Sequence, residues 1–256
     1  MKVGIVTYNL AHDWDLPTII ARCAAAGMQG VELRTGHAHG VEVGLSPAER
    51  KQVRQQFTDS PVELVGLGST FEYHAVEPAE VRRNIEGTKE YVKLAADVGA
   101  PGVKVRPNGL NVERGVPREQ TLEQIGKALR ECGEYARDYG VEVRLEVHGP
   151  ETSLVPNIRA IMDAADHDNV FVCWNCNQAD LVEGSVRAGF DLVRERIRLV
   201  HMRDLYLDEY PSRELLGLLR DSGYQGFCLA EISESPDPER VMRYYRALWL
   251  SYLGGG

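Results

Sequence analysis

The stretch REQTLEQIGKALRECGEYARDYGVEVRLEVH, residues 118–148, contains a change of period that decides the fold. In its first part Leu122, Ile125, Leu129, Cys132 and Tyr135 recur at helical spacing, which predicts a helix over 118–139 with one apolar face. Tyr139-Gly140-Val141 then supplies the residue that most easily ends a helix in a left-handed turn. From 141 to 148 the period falls to two. Arg144, Glu146 and His148 share one face of a strand, and Leu145 and Val147 share the other. A helix that passes through a short turn straight into a strand is half of a repeating β/α unit.

The same junction occurs three more times, at Gly27 and Gly30, Gly99 and Gly102, and Gly223 and Gly226, where a helix stops at one glycine and a second opens an apolar run. Strands are predicted near 2–9, 30–34, 62–69, 102–107, 141–148, 170–175, 197–204 and 226–232. Helices are predicted over 16–26, 47–58, 79–98, 118–139, 157–165, 182–194, 212–221 and 238–253. Alternation of this kind demands a parallel sheet with right-handed crossovers, and eight units close most economically into a single (β/α)8 TIM barrel over 1–253, with 254–256 a flexible tail. The 256-residue length matches that fold. A doubly wound open sheet is the competing architecture. Against it, Thr7-Tyr8-Asn9-Leu10 stands where a dinucleotide fold would place its glycine fingerprint.

A net charge of −9 argues against nucleic-acid and membrane partners, which select clustered Lys and Arg, and points to a small-molecule ligand. No apolar run approaches the roughly 18 residues of a membrane span, and Val3-Gly4-Ile5-Val6 reads as a strand and not as a signal sequence. The expected location is cytoplasmic. Five scattered cysteines make no disulfide framework and agree with a reducing compartment. Cys173 and Cys176 have redox spacing, but they begin inside a strand, so an inert pair is expected.

Four apolar runs end in metal-ligand types of side chain: Glu146 and His148 after the fifth strand, Asn175 after the sixth, His201 after the seventh and Glu231 after the eighth. Parallel neighbours would bring these ends together at the C-terminal mouth of the barrel, where active sites of this fold lie. Parity also groups Lys104 with Arg106, Glu32 with Arg34, and His201 with Arg203. Arg34, Lys104, Arg106 and Arg203 form a basic crown suited to an anionic or polyhydroxy ligand, with internal pairing to Glu146 and Glu231 as the alternative. The deeper Glu32 and Arg144 are expected in a structural ion layer, in which Arg144 and Lys104 neutralise Glu32. His74, after the third strand, is a candidate sugar contact, and Trp14 a candidate apolar wall. His37 and His39 have His-x-His spacing in a glycine-bounded loop and are expected to face substrate or solvent without holding a second metal.

Leu145-Glu146 at the fifth strand, the polar end of the sixth, His201-Met202-Arg203-Asp204 at the seventh, and Tyr224-Gln225-Gly226 leading to Glu231 together resemble the xylose isomerase-like barrels. That family includes sugar isomerases and the tagatose and psicose 3-epimerases. The resemblance runs over essentially the whole chain. It implies one divalent ion (manganese, cobalt, magnesium or zinc) held by Glu146, Asn175, His201 and Glu231. It also implies isomerisation or epimerisation of a sugar or keto-sugar through an enediolate, with Glu146 and Glu231 as the acid/base pair and Arg34, His74, Lys104, Arg106, His148 and Arg203 as substrate contacts. Epimerases of this type are often homo-oligomers. The chain departs from the family at Asn175-Cys176-Asn177-Gln178, where an Asp and a following His are usual. An amide oxygen can still coordinate a hard cation. His148 as a replacement ligand and a metal-free site are the other two readings. The same first proton abstraction would also serve a lyase eliminating from a 3-keto glycoside. A non-catalytic sugar-binding barrel is a third class. The zinc endonucleases of this fold need more His and Asp ligands than seven histidines here can place.

Overall fold

Left-handed glycines stop the helices where the sequence puts them: Gly27, at φ 74°, and Gly99, at φ 85°, each cap a helix and release the chain into the next strand. Helix starts are equally local in origin. The Asp15 side chain accepts the Thr18 amide at 2.9 Å, and Ser46 and Glu49 form a reciprocal capping box. In the computed structural model, which describes residues 1–254, these units alternate as β1 (Lys2–Val6), α1 (Tyr8–Ala11), α2 (Leu16–Ala26), β2 (Gly30–Arg34), α3 (Pro47–Thr58), β3 (Glu63–Glu72), α4 (Pro78–Val98) and β4 (Gly102–Arg106). They continue as α5 (Arg118–Arg137), β5 (Glu142–Glu146), α6 (Val155–Ala165), β6 (Val170–Asn175), α7 (Arg187–Val193), β7 (Ile197–Met202), α8 (Ser212–Asp221), β8 (Phe227–Ala230) and α9 (Pro238–Tyr252). The strands pair in parallel, in sequence order, and β8 returns to β1 with Lys2 opposite Phe227, closing the (β/α)8 barrel. The last two residues of the expected tail lie outside the described residues.

The apolar faces of strands and helices bury one continuous layer that includes Leu145, Val147, Ile125 and Leu129. Inside the barrel a smaller apolar cluster, Val6, Val65, Cys173, Leu199 and Leu229, fills the lower half. Leu199 and Leu229 precede His201 and Glu231 by two positions on the inward face, so this cluster is the floor beneath the polar side chains. Glycines on β3 and β4 leave the space the inward polar groups occupy. A Cβ on Gly68 would stand 2.8 Å from Glu32 Oε1, and one on Gly102 would stand 2.5 Å from Arg144 Nε.

Most boundaries fall within two residues of those expected, and three differ by more. β1 ends at Val6 and not at residue 9, because Thr7 takes up helical backbone angles and its amide donates to the Glu32 carbonyl at 3.1 Å; the chain then turns through α1. β3 runs on to Glu72, past a register shift against β4, so Glu72 joins the mouth. α7 is shorter than 182–194, its first residues being tied off by an isolated bridge between Val182 and Ser185.

Candidate active site

The C-terminal ends of the strands enclose a cavity of about 410 Å³ lined by Arg34, Lys104, Arg106, Glu146, His148, Asn175, Arg203 and Glu231, among others. His201 is fully buried beneath it. Glu146 from β5, His201 from β7 and Glu231 just after β8 each offer one ligand atom, and these atoms all lie within 4.8 Å of one another. His201 Nδ1 stands 3.1 Å from Glu146 Oε1 and 3.9 Å from Glu231 Oε2. Asn175 Nδ2 donates to Glu146 Oε1 at 3.3 Å; a half-turn of that amide would present Oδ1 in the same place. Lys104 Nζ donates to Glu146 Oε2 at 2.7 Å.

The expected neutralisation of Glu32 by Arg144 does not occur. Arg144 pairs with Glu142 at 2.8 Å and donates to the Val65 carbonyl at 2.9 Å. Glu32 instead faces His201, with Oε1 3.2 Å from Nε2 and both side chains about 1% exposed. Neither Glu32 oxygen has a hydrogen-bond partner of good geometry. A buried carboxylate on the second nitrogen of an imidazole whose first nitrogen faces two carboxylates is the arrangement that orients a metal-binding histidine. Two carboxylates, an imidazole and an amide make a donor set that suits a divalent cation, so these residues fit the metal the sequence implies.

The charges act on one another. Burial works to raise the pKa of Glu146, but Lys104 and His201 reverse this and hold it well below the usual carboxylate range. Burial raises that of Glu231, against the pull of His201. Burial also disfavours charge on His201, yet Cys173 and the carboxylates of Glu32 and Glu146 raise its pKa well above the ordinary value. Lys104, despite burial, is kept charged by Glu146 and Glu32.

The remaining candidates separate into those at the cavity and those away from it. Arg106 bonds Glu72, whose Oε1 also accepts from Asn108 Nδ2 at 2.7 Å; Asn108 Oδ1 faces His148 Nδ1 at 2.8 Å. That relay fixes His148, whose pKa burial lowers, in the cavity wall. His74 is not part of that wall; its Nδ1 lies 3.8 Å from Glu72 Oε2. Tyr73 is fully buried with its hydroxyl 2.6 Å from that of Thr88, and Trp14 is covered by Arg22. His39 is tied to the loop backbone through Arg34 O and Val41 N, while His37 turns to Thr7 and Arg34. All five cysteines are free and buried, and burial pushes Cys173 up to about 11. Sequence reasoning missed Tyr8, Asn9, Asn177, Asp204 and Ser233 in the wall, as well as Glu72 behind it. Position immediately after a strand was the available signal for the first two.

A family model described as the xylose isomerase-like TIM barrel matches residues 20–250. The chain belongs to this family. No curated protein matches it in sequence. Among solved structures it is similar to a D-psicose 3-epimerase with D-tagatose from Clostridium cellulolyticum H10, at 14% identity and TM-score 0.83, with 99% of each chain covered. It is also similar to a 3-keto-D-glucoside 4-epimerase from E. coli, at 15% identity and TM-score 0.80 over 98% of this chain and 99% of that one. A third is a protein with a bound zinc atom, at 15% identity and TM-score 0.77 over 99% of this chain and 98% of that one. At these identities the likeness is one of fold. Among the described residues no helix is long and apolar enough to cross a membrane.

Proposed function

We propose that this protein is a divalent-metal-dependent isomerase or epimerase of a sugar or keto-sugar. The observation that carries the reading is the convergence of Glu146, His201 and Glu231 within 4.8 Å at the bottom of a cavity of sugar size, at the catalytic end of the barrel. The solved structures of like fold named for epimerisation of keto-sugars add support.

Glu146, Asn175, His201 and Glu231 would hold the ion, which supplies a Lewis acid for the substrate's carbonyl. The protein's own residues do the rest. Glu146 at the end of β5 and Glu231 just after β8 reach the cavity from strands three apart in the barrel and serve as the pair that removes the proton beside the carbonyl and returns it, either to the other face or to the adjoining carbon. Lys104, bonded to Glu146, keeps that carboxylate ionised but makes it the weaker base of the pair, while Glu231, whose pKa burial raises, is the stronger proton acceptor. Glu32 holds the imidazole of His201 in place from behind. His148, Arg106 and Arg203 line the wall where the substrate hydroxyls would lie. Five free cysteines agree with a cytoplasmic location.

The test is incubation of the manganese-loaded protein with ketoses and 3-keto glycosides in deuterated water. Deuterium should enter the carbon beside the carbonyl, with a rearranged sugar as product. Elimination products in place of an epimer would move the reaction to a lyase. Absence of exchange with every member, together with cleavage of abasic DNA, would refute the sugar reading.

A further inference from the structure

Four cationic side chains face the cavity, and they are not equivalent. Lys104 is bonded to Glu146 at 2.7 Å and Arg106 to Glu72, so each has its counter-charge within the protein. Arg34, partly buried, and Arg203, exposed at the rim, have no carboxylate within 4.0 Å among the described residues, although the charge of Arg203 also acts on Asp180 at longer range. Asp204 lines the same wall and also has no cation within that distance, so it does not neutralise Arg203; burial raises its pKa.

Arg34 is held in place all the same. Its guanidinium lies 5.1 Å from the ring centroid of Tyr8, another wall residue, and its NH1 lies 3.5 Å from His37 Nε2. His37 Nδ1 is 3.0 Å from Thr7 Oγ1, the same hydroxyl oxygen that accepts the Arg34 amide at 2.9 Å. With Nδ1–H donated to Thr7, the lone pair of Nε2 turns to Arg34. Burial, then the charge of Arg34, pushes the His37 pKa down to about 4, so the ring is a neutral acceptor beside the guanidinium. An aromatic face and a neutral imidazole are the supports of an arginine whose charge is reserved for something else. A half-buried guanidinium without a counter-ion is costly, and its flat fork of donors matches a carboxylate or phosphate in two parallel bonds.

We propose that the substrate carries an anionic group, a phosphate or a carboxylate, away from its reacting carbons, and that Arg34 and Arg203 seat it. This rests on the reading of the cavity as the active site of a keto-sugar isomerase or epimerase, and it divides the basic crown into two internally compensated members and two that await a ligand. Lys104 holds Glu146 and Arg106 holds Glu72, while Arg34 and Arg203 select the substrate.

The experiment compares a neutral ketohexose, its 6-phosphate and the matching 6-carboxylate against the manganese-loaded wild type, Arg34→Gln, Arg34→Lys and Arg203→Gln, with circular dichroism confirming the fold of each. Calorimetric binding and deuterium wash-in are read separately. At least one charged ketose should bind about 10- to 100-fold more tightly than the neutral one, as charge-assisted hydrogen bonds give. Arg34→Gln should remove most of that preference and Arg34→Lys should restore part of it, the ratio of charged to neutral binding being the readout. Preference for the phosphate or for the carboxylate identifies which anion is native. Equal binding of all three sugars, or a preference that survives both glutamine variants, overturns the proposal even if wash-in occurs. Charge-selective binding lost in Arg34→Gln without wash-in on any sugar upholds the anionic subsite and overturns the isomerase or epimerase reading instead.

Discussion

Replacing Glu32 with Gln removes a charge that touches no solvent and lines no part of the cavity, yet it should weaken metal binding. Glu32 Oε1 lies 3.2 Å from His201 Nε2, and Nδ1 of the same ring faces Glu146 and Glu231. At that separation two full charges would interact by about 5 kcal/mol at an effective dielectric constant of about 20. A metal-bound imidazole is neutral, so what Glu32 would contribute to the loaded protein is a charge-assisted hydrogen bond worth about 1.5–3 kcal/mol, made once ion binding turns Nε2–H onto Oε1. Glutamine keeps an acceptor and the shape but not the charge. The manganese dissociation constant should therefore rise about 10- to 100-fold, the range seen when the partner of a metal-bound histidine is lost. Titration followed by electron paramagnetic resonance of free manganese reads this directly. Arg144→Met is the control, because Arg144 touches Glu142 and the Val65 carbonyl but none of the ligands; it should lower the melting temperature and leave affinity alone. A folded Glu32→Gln protein whose manganese affinity stays within about twofold of wild type would refute the orienting role.

Asn175→Asp should tighten manganese binding because it adds a negative charge beside the cation, while the metal-free protein loses stability from the new repulsion with Glu146, now 3.3 Å from the Asn175 amide; unchanged affinity would remove Asn175 from the ligands and favour His148. Glu146→Gln and Glu231→Gln should each lower turnover by about 10²- to 10⁴-fold with metal content measured in parallel, and full activity in either would remove it from the acid/base pair. Asp180, buried in the short helical turn after β6, has its pKa raised to about 7 by burial, despite the Asn177 amide and the Tyr210 hydroxyl that donate to it. Between about pH 4 and pH 7 the folded state therefore holds a proton that the unfolded chain has lost, so stability falls as pH rises through that window. Thermal melts of Asp180→Asn should have a visibly flatter pH profile than wild type, and parallel profiles would place the titration elsewhere.

The fold was legible because its signals are local. A helix that ends at Gly27 or Gly99 and a strand that restarts three residues later need no tertiary information, and the two-residue period of 141–148 placed Glu146 inward without reference to its neighbours. What could not be read was which inward groups meet. Glu32 and His201 come from β2 and β7, and whether they stand level depends on strand tilt and stagger, which the bulges at Val31–Glu32 and Val172–Cys173 alter. Arg144 was assigned to the wrong carboxylate for the same reason: parity gives the face, and depth comes only from the closed register. The sequence reads Tyr8 and Asn9 as the end of a strand because nothing in Thr7-Tyr8-Asn9-Leu10 announces a turn. That turn depends on the Glu32 carbonyl capturing the Thr7 amide, a contact between two distant parts of the chain.

The empty positions of β3 and β4 also constrain how the site can change over time. Gly68 and Glu32 are complementary in size, one lacking the side chain whose room the other fills, and Gly102 stands in the same relation to Arg144. Enlarging either glycine first drives a methyl group into a buried charge, whereas shortening the charged partner first leaves a gap that a later alanine can fill. Mutational paths from this polar interior to an apolar one are therefore open in one order and closed in the other. The substitutions are coupled in pairs across neighbouring strands, and a lineage that lost the chemistry would be expected to show the loss of Glu32 before any growth at Gly68.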